Sequence, residues 1–177
     1  GRSLVGGFMV ASAVISMWVM NTSTTMMLLP IAVSIIGVIH SSVASLTEKG
    51  KRDFQYALLL GIAYSATIGG MTTLVGTVPN ALMAAFMLDT YGNEIDFARW
   101  MLVGIPLAAV MLPLSWLVLT RIVFKVDFVT SGEARAELRR MKEEMGRISV
   151  PEFRIAVIFT CMALLWMTRP LLTNLPG

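Results

Sequence analysis

The sequence has few of the residues that build disulfide and metal sites. Its 177 residues include one cysteine, Cys161, and one histidine, His40. One cysteine forms no disulfide within the chain, and one histidine does not complete a tetrahedral zinc site. The long apolar runs contain no Asp or Glu, which disfavours a proton pump that works through an acid relay. The sequence therefore predicts neither a disulfide framework nor a metal cluster.

Charged residues are also scarce, whereas apolar residues are abundant. Charged residues make up 14% of the chain, against about 25% in soluble proteins. Hydrophobic residues make up 56%, and the mean hydropathy is +0.75. The net charge is +3, but eight of the 14 Lys and Arg residues lie between Arg121 and Arg154, interleaved with acids. This distribution favours a cytoplasmic loop beside a lipid bilayer over a nucleic-acid site. We therefore predict an integral membrane protein.

The lengths of the apolar runs predict an all-α membrane fold. A full span needs about 20 apolar residues, and residues 97–124 meet this requirement. Residues 4–39 form two shorter arms around a polar tip at 20–25, which is typical of a re-entrant helical hairpin. Residues 54–88 predict a transmembrane helix broken in mid-membrane at 69–80, because Gly and Pro weaken helices.

Two further helices complete the predicted topology. Residues 155–169 predict another transmembrane helix, and residues 131–148 predict an amphipathic helix at the cytoplasmic interface or against a neighbouring domain. If the hairpin is re-entrant, the basic loops 40–53 and 125–154 lie on one side and the acidic loop 89–96 on the other. The positive-inside rule then places the basic loops in the cytoplasm.

The two polar breaks in the apolar segments, at 21–25 and 69–80, are the candidate functional site. Irregular backbone at membrane depth is tolerated where it is buried in protein or lines a wet cavity. Helix N-termini favour anions and C-terminal carbonyls favour cations, so the breaks together suit an anionic substrate and a sodium ion. The alternative interpretation is that both breaks are helix kinks with packing glycines.

Both breaks resemble motifs of the divalent-anion:sodium symporter family. Residues 16–25, Ser-Met-Trp-Val-Met-Asn-Thr-Ser-Thr-Thr, resemble its Ser-Asn-Thr hairpin signature. Residues 64–70 and 73–80 resemble its next motif. The resemblance covers most of the chain and implies the N-terminal half of a transport region built from inverted repeats. It also implies an elevator-like or rocking motion, with the second half of the site outside this chain.

The family's functional residues can be placed on matching positions of this sequence. Those implied for substrate binding are Asn21, Thr22, Val75, Gly76 and Thr77, and those implied for sodium are Ser16, Met20, Asn21 and Gly76. Some of the sodium ligands would be backbone carbonyls. Met20 stands where the family has a serine, so its backbone carbonyl is the atom left to bind sodium.

The resulting functional hypothesis is sodium-coupled secondary transport of di- or tricarboxylates or sulfate. It requires Na⁺ as the co-transported ion and no organic cofactor, and we expect a homodimer of the full-length protein in the plasma (inner) membrane. One alternative is a non-transporting membrane scaffold or interaction protein that uses helix 131–148 as its partner surface. An intramembrane enzyme that uses Ser or Thr with His40 is disfavoured, because His40 lies away from residues 21–25. We therefore expect no enzymatic activity.

Overall fold

Regular structure in the described part of the chain is helical throughout. The computed structural model describes residues 1–43, 46–126 and 148–173, together with positions 132, 136, 139, 140, 143 and 146. The helices are α1 (Arg2–Ser16), α2 (Asn21–Ser42), α3 (Glu48–Gly70), α4 (Val78–Tyr91), α5 (Phe97–Leu117) and α6 (Val150–Thr173). Most of the predicted amphipathic helix 131–148 lies outside the described residues, and of its positions that are described, 132, 136, 139, 140 and 143 are helical.

Short-range chemistry explains where several helices begin and end. The Thr47 hydroxyl accepts the Gly50 N–H (3.2 Å) at the start of α3. The Asp96 carboxylate accepts the Arg99 N–H (2.7 Å) at the start of α5. Both are standard N-caps, which satisfy donors that the first turn leaves unpaired. Gly92, with φ of 63°, ends α4 in the left-handed conformation that glycine adopts most easily.

Two stretches of the described chain are long and apolar enough to cross a membrane. They are Asn21–Ser41, within α2, and Phe97–Val123, in which α5 continues as the π-helical segment Val118–Val123. About 20 apolar residues suffice for a span, and the second stretch has 27 residues. Most of its large apolar side chains are exposed, as expected for a helix that faces lipid or protein outside this chain.

Helix α3 lies at the centre of the described fold, and α1, α2 and α5 pack against it. The buried core is contributed mainly by Val5, Met9, Leu28, Ala32, Ile36, Ile39, Phe54, Leu58 and Ile62. Small residues let the helices approach closely, as is usual in membrane proteins. A Cβ at Gly61 would lie 3.1 Å from the Met9 side chain, and one at Gly69 would overlap the Ala13 backbone. These contacts align α1 with α3.

One end of the molecule brings together the start of α1, the start of α3 and the end of the π-helical segment. Arg2 Nε donates to the Val126 carbonyl (3.0 Å). The Tyr56 ring of α3 lies 5.9 Å from the Phe124 ring. The basic region that starts at Lys125 therefore begins at this end of the molecule.

The junction between α2 and α3 lies at the same end. The sequence places His40 in a polar loop spanning 40–53, but α2 continues to Ser42 and His40 belongs to its last turn. A helix C-terminus is a favourable place for histidine, since the terminal carbonyls carry partial negative charge. His40 Nε2 lies 3.3 Å from the Lys51 carbonyl. Lys51 Nζ also donates to Glu48 (2.9 Å), and this contact lowers the pKa of the Glu48 carboxyl.

The opposite end brings together the α1–α2 turn, the α3–α4 loop and the first turns of α5. The Trp18 ring lies 5.9 Å from the Phe97 ring and 5.5 Å from the Phe159 ring of α6. Trp100 Nε1 donates to the Met71 carbonyl (2.9 Å). Both helix breaks thus lie beside the N-terminal part of α5. Their predicted depth near the bilayer midplane stays a prediction.

Candidate functional site

The first break is a tight turn followed directly by a helix. The sequence places the polar tip at 20–25, whereas the turn consists of residues 17–20 and α2 begins at Asn21. Met20 has φ of −52° and ψ of 140°, so it leaves the helical region just before that start. Short polar side chains favour the start of a helix, which explains why 21–25 form its first turn.

Two buried hydroxyls hold this turn together. Ser16 is fully buried, and its Oγ donates to Asn21 Oδ1 (2.8 Å). Thr24 is also fully buried, and its Oγ1 lies 3.4 Å from the Val19 carbonyl oxygen. The last residue of α1 therefore orients the carboxamide of the first residue of α2.

The second break is shorter than the sequence predicts. The predicted loop spans 69–80, but α3 continues through Gly70 and α4 begins at Val78, which leaves residues 71–77 as the loop. The glycines at 69 and 70 belong to α3 and pack against α1 and α2. Pro79 occupies the first turn of α4, where its missing N–H has no helical acceptor in any case.

Asn80 spans the second break. Its side chain is 7% exposed, and its Nδ2 donates to the carbonyls of Gly70 (2.9 Å) and Thr73 (2.7 Å). Gly70 is the last residue of α3 and Asn80 lies in the first turn of α4. The carboxamide thus pairs with the Gly70 carbonyl, which the end of α3 leaves without a helical donor, and with one carbonyl of the loop.

The two breaks contact each other at Gly70 and Thr73. A Cβ on Gly70 would overlap Asn21 Oδ1, so glycine is the residue that lets the Asn21 carboxamide approach α3. The Thr73 hydroxyl donates to the Met17 carbonyl (2.5 Å) and accepts the Gly76 N–H (3.0 Å). A Cβ at Gly76 would lie 2.5 Å from the Gly70 carbonyl oxygen. Close backbone packing therefore joins both breaks into one site.

Helix α5 covers one side of the loop. A Cβ at Gly104 would lie 2.8 Å from the Cα and carbonyl oxygen of Thr72. The Thr72 hydroxyl donates to the Gly69 carbonyl (2.6 Å), and Trp100 Nε1 donates to the Met71 carbonyl. The carbonyls of Gly69, near the end of α3, and of Met71, in the loop, therefore have donors. Helix α5 fixes the position of the loop relative to α3.

The structure brings some of the predicted site residues together and leaves others at the edge. Ser16, Asn21 and Gly76 lie around Gly70 through the contacts described above. Those on the outside are Met20, Thr22 and Val75, which are exposed, and Thr77, which is half-buried. The Met20 carbonyl accepts the Thr24 N–H (3.0 Å) as the first hydrogen bond of α2, while its side chain is 56% exposed.

The prediction of site residues omitted Thr73 and Asn80. Both side chains are buried and both connect separate parts of the site. Their polarity inside an apolar stretch was a signal. Their hydrogen-bond partners depend on how 71–77 folds back on α3, which residue spacing does not reveal.

The chemistry of the site is that of uncharged oxygens and helix ends. The side chains in its described hydrogen bonds are Ser, Thr, Asn and Trp. Two helices end here and two begin here, so terminal carbonyls and terminal N–H groups are close together. The carbonyl ends attract a hard cation and the N–H ends attract an anion.

Comparison with known proteins assigns the family. A family model described as citrate transporter matches residues 1–177. The chain belongs to this citrate transporter family. Two curated relatives are the sodium-dependent dicarboxylate transporters SdcS of Staphylococcus aureus strains NCTC 8325 / PS 47 and COL. Each is 36% identical to the chain over 167 residues, which is 94% of the chain and 32% of the relative.

These matches confirm the resemblance to the divalent-anion:sodium symporter family. The family and the relatives are transporters and not enzymes, which confirms the prediction of a non-enzymatic protein. The chain is thus from an integral membrane protein with helices apolar and long enough to span a bilayer. It spans about a third of the length of these relatives, so the activity of the whole protein is a matter for proposal.

Proposed function

We propose that the full-length protein is a symporter that moves a small anion, a di- or tricarboxylate or sulfate, across the membrane together with Na⁺. The observation that carries this proposal is the contact between the two helix breaks, where Asn21 Oδ1 packs against Gly70 and accepts the Ser16 hydroxyl. A site of this kind forms only if α1 and α3 end at the same level. The Thr73–Met17 hydrogen bond supports that alignment.

Sodium is the ion that best suits the oxygens of this site. It is a hard cation, and neutral hydroxyl, carboxamide and carbonyl oxygens suffice to bind it. We assign the sodium site to Ser16, Asn21 and Gly76, with Met20 contributing through its backbone. Ser16 and Asn21 are already within 2.8 Å of each other, and the Gly76 backbone packs on Gly70 beside them. The sodium-dependent relatives support the choice of ion.

The anionic substrate is assigned to the exposed side of the same site. Asn21 and Thr22 begin α2, and Thr77 precedes α4, so the N–H groups at the starts of two helices are near. Helix N-termini attract anions through their unpaired N–H groups and the helix dipole. We include Val75 and Gly76 because they belong to the loop between α3 and α4. Thr22 and Val75 are exposed in this chain, which leaves them accessible to substrate and to the other half of the site.

We propose a homodimer in the plasma (inner) membrane with the basic loops 40–53 and 125–154 in the cytoplasm. The start of α3 and the residues just before Lys125 lie at one end of the fold, which supports placing these loops on one side. The hairpin 4–39 would then enter and leave from that side.

Uptake by the full-length protein in proteoliposomes tests the proposal. Labelled succinate, citrate and sulfate are offered in separate assays with an inward sodium gradient or with choline in place of sodium. We expect at least one anion to accumulate only when sodium is present. Equal accumulation with choline would contradict sodium coupling, and no uptake of any anion by a folded protein would favour the scaffold hypothesis.

A matched pair of threonine variants localises the activity. Thr22→Ala removes a hydroxyl from the first turn of α2, whereas Thr90→Ala removes an exposed hydroxyl near the far end of α4. We expect Thr22→Ala to raise the KM for the transported anion about 10- to 100-fold, since one hydrogen bond to a charged group contributes about 1.5–3 kcal/mol. Thr90→Ala should leave KM unchanged, and equal effects of the two variants would contradict the assignment.

A further inference from the structure

Helix α4 contacts the rest of the described fold through very little buried surface. Within Val78–Tyr91, all of which the structure describes, Asn80 is the buried residue. Large apolar side chains on the same helix are exposed, among them Leu82, Met83 and Phe86. A helix that is apolar on its exposed faces yet buries only an asparagine is fixed to this half of the protein by polar contacts.

The buried Asn80 contacts the backbone that carries the proposed sodium site. Its Nδ2 is 2.9 Å from the Gly70 carbonyl oxygen and 2.7 Å from the Thr73 carbonyl oxygen. Gly70 packs against Asn21 on one side and against Gly76 on the other. The distance between the Asn21 carboxamide and the Gly76 backbone therefore depends on where the Gly70 carbonyl is held.

From these contacts we infer that Asn80 is a positioning residue for sodium: it holds Gly70 and Thr73 so that Asn21 and Gly76 keep the spacing that the ion requires. This inference rests on the proposed function, and it adds the residue that links α4 to the ion site. Asn80 itself contacts neither ion nor substrate in this role. Its effect should appear in the apparent sodium affinity. Asn21 and Gly76 are assigned to the substrate as well, but at saturating sodium the bound ion itself holds them in place, so the substrate affinity measured there should be unchanged.

The test is sodium-dependent uptake by the full-length protein with three variants at matched expression. Asn80→Ala removes both hydrogen bonds, and Asn80→Ser keeps one hydroxyl donor in case the alanine variant fails to fold. Asn93→Ala is the control, because Asn93 is an exposed asparagine in the loop after α4. Half-saturating sodium is measured at saturating anion, and the KM for the anion is measured at saturating sodium.

We expect Asn80→Ala to raise half-saturating sodium about 10-fold and Asn80→Ser to raise it by a smaller factor, because buried carbonyls lose their donors. The anion KM at saturating sodium should stay within about 2-fold of wild type in both, since a factor of 2 is well under 1 kcal/mol. A wild-type sodium dependence in Asn80→Ser, or equal shifts for sodium and anion, would overturn the inference while leaving sodium-coupled transport intact. Sodium-independent uptake by the wild-type protein would instead remove the proposed function itself.

Discussion

The hydroxyl of Thr73 donates a hydrogen bond to the backbone carbonyl of Met17 (2.5 Å), although the two residues are 56 positions apart in sequence. Met17 belongs to the turn between α1 and α2, and Thr73 to the loop between α3 and α4. The same hydroxyl accepts the Gly76 N–H (3.0 Å). One fully buried side chain therefore connects both helix breaks and orients a residue of the proposed sodium site.

Replacing Thr73 by valine keeps the shape of the side chain and removes both hydrogen bonds. We expect Thr73→Val to lower the free energy of unfolding by about 1–3 kcal/mol, because the Met17 carbonyl and the buried Gly76 N–H lose their partner. Sodium-dependent uptake should also fall, since Gly76 is no longer fixed. Thermal unfolding in detergent and uptake in proteoliposomes measure the two effects.

Two variants serve as controls for Thr73→Val. Thr73→Ser retains the hydroxyl and should keep most of the uptake. Thr67→Val removes a hydroxyl that bonds to the Ala63 carbonyl on an exposed part of α3, so it should change stability by less than about 0.5 kcal/mol. If Thr73→Val and Thr67→Val had the same stability and the same uptake, the hydrogen bond between the two breaks would contribute nothing to transport.

A methyl group at Gly70 should separate the two breaks. Gly70→Ala would place its Cβ on Asn21 Oδ1, so the Asn21 carboxamide must leave its position beside Ser16. We expect loss of sodium-dependent uptake and destabilisation of about 1–3 kcal/mol, the usual cost of overpacking. Initial uptake rates and thermal unfolding check this prediction.

Gly37→Ala is the control, and it should raise the stability that Gly70→Ala lowers. Gly37 is an exposed residue inside α2, and a Cβ there would meet no atom within 4 Å. Alanine at such a helical position stabilises by about 0.5–1 kcal/mol relative to glycine. We expect Gly37→Ala to transport normally and to unfold at the same or a higher temperature. Normal transport by Gly70→Ala as well would show that Asn21 works without contacting α3.

Serine at position 20 should strengthen the sodium site. The side chain of Met20 is 56% exposed, so Met20→Ser disturbs little packing. Met20 also occupies the N-cap of α2 without a side-chain cap hydrogen bond, and serine at an N-cap stabilises a helix by about 0.5–2 kcal/mol. We expect half-saturating sodium to fall about 5-fold, which corresponds to about 1 kcal/mol of added ligand interaction.

The sodium dependence of uptake by Met20→Ser is the deciding measurement. Met27→Ser is the matched control, because Met27 is an exposed methionine further along α2. It should leave the sodium dependence unchanged. An unchanged sodium dependence in Met20→Ser would count against any role of position 20 at the ion.

Two tryptophans of α5 make comparable hydrogen bonds at opposite ends of the fold. Trp100 Nε1 donates to the Met71 carbonyl (2.9 Å) beside the proposed site, and Trp116 Nε1 donates to the Arg2 carbonyl (3.0 Å) far from it. Phenylalanine at either position removes one bond, and we expect each variant to lose about 1 kcal/mol of stability. Only Trp100→Phe should reduce sodium-dependent uptake, and equal losses of uptake in both would contradict the role of α5 in fixing the loop.

The two helix breaks were predictable from the sequence, whereas the contacts between them were not. Polar residues at 21–25 and 69–80 stand out in apolar segments, because a membrane tolerates a polar break in a helix only where protein buries it or water reaches it. The bounds shifted, since Gly69 and Gly70 are helical and the first turn lies at 17–20. Thr73 and Asn80 were not selected, because no spacing rule identifies a carbonyl from another segment as a hydrogen-bond partner.

The sequence by itself determined that this chain is helical and apolar, with two polar interruptions, and its motifs sufficed to identify the family. These properties depend on composition and on local preferences for helix starts and breaks, which neighbouring residues set. The tertiary structure alone decided that Gly70 meets Asn21, that Thr73 meets Met17 and that Asn80 spans the second break. Those contacts depend on how closely the helices pack. Glycine at 69 and 70 has no Cβ, which lets α3 approach Ala13 of α1 and Asn21 of α2, but which segments meet there is decided only when the whole chain folds.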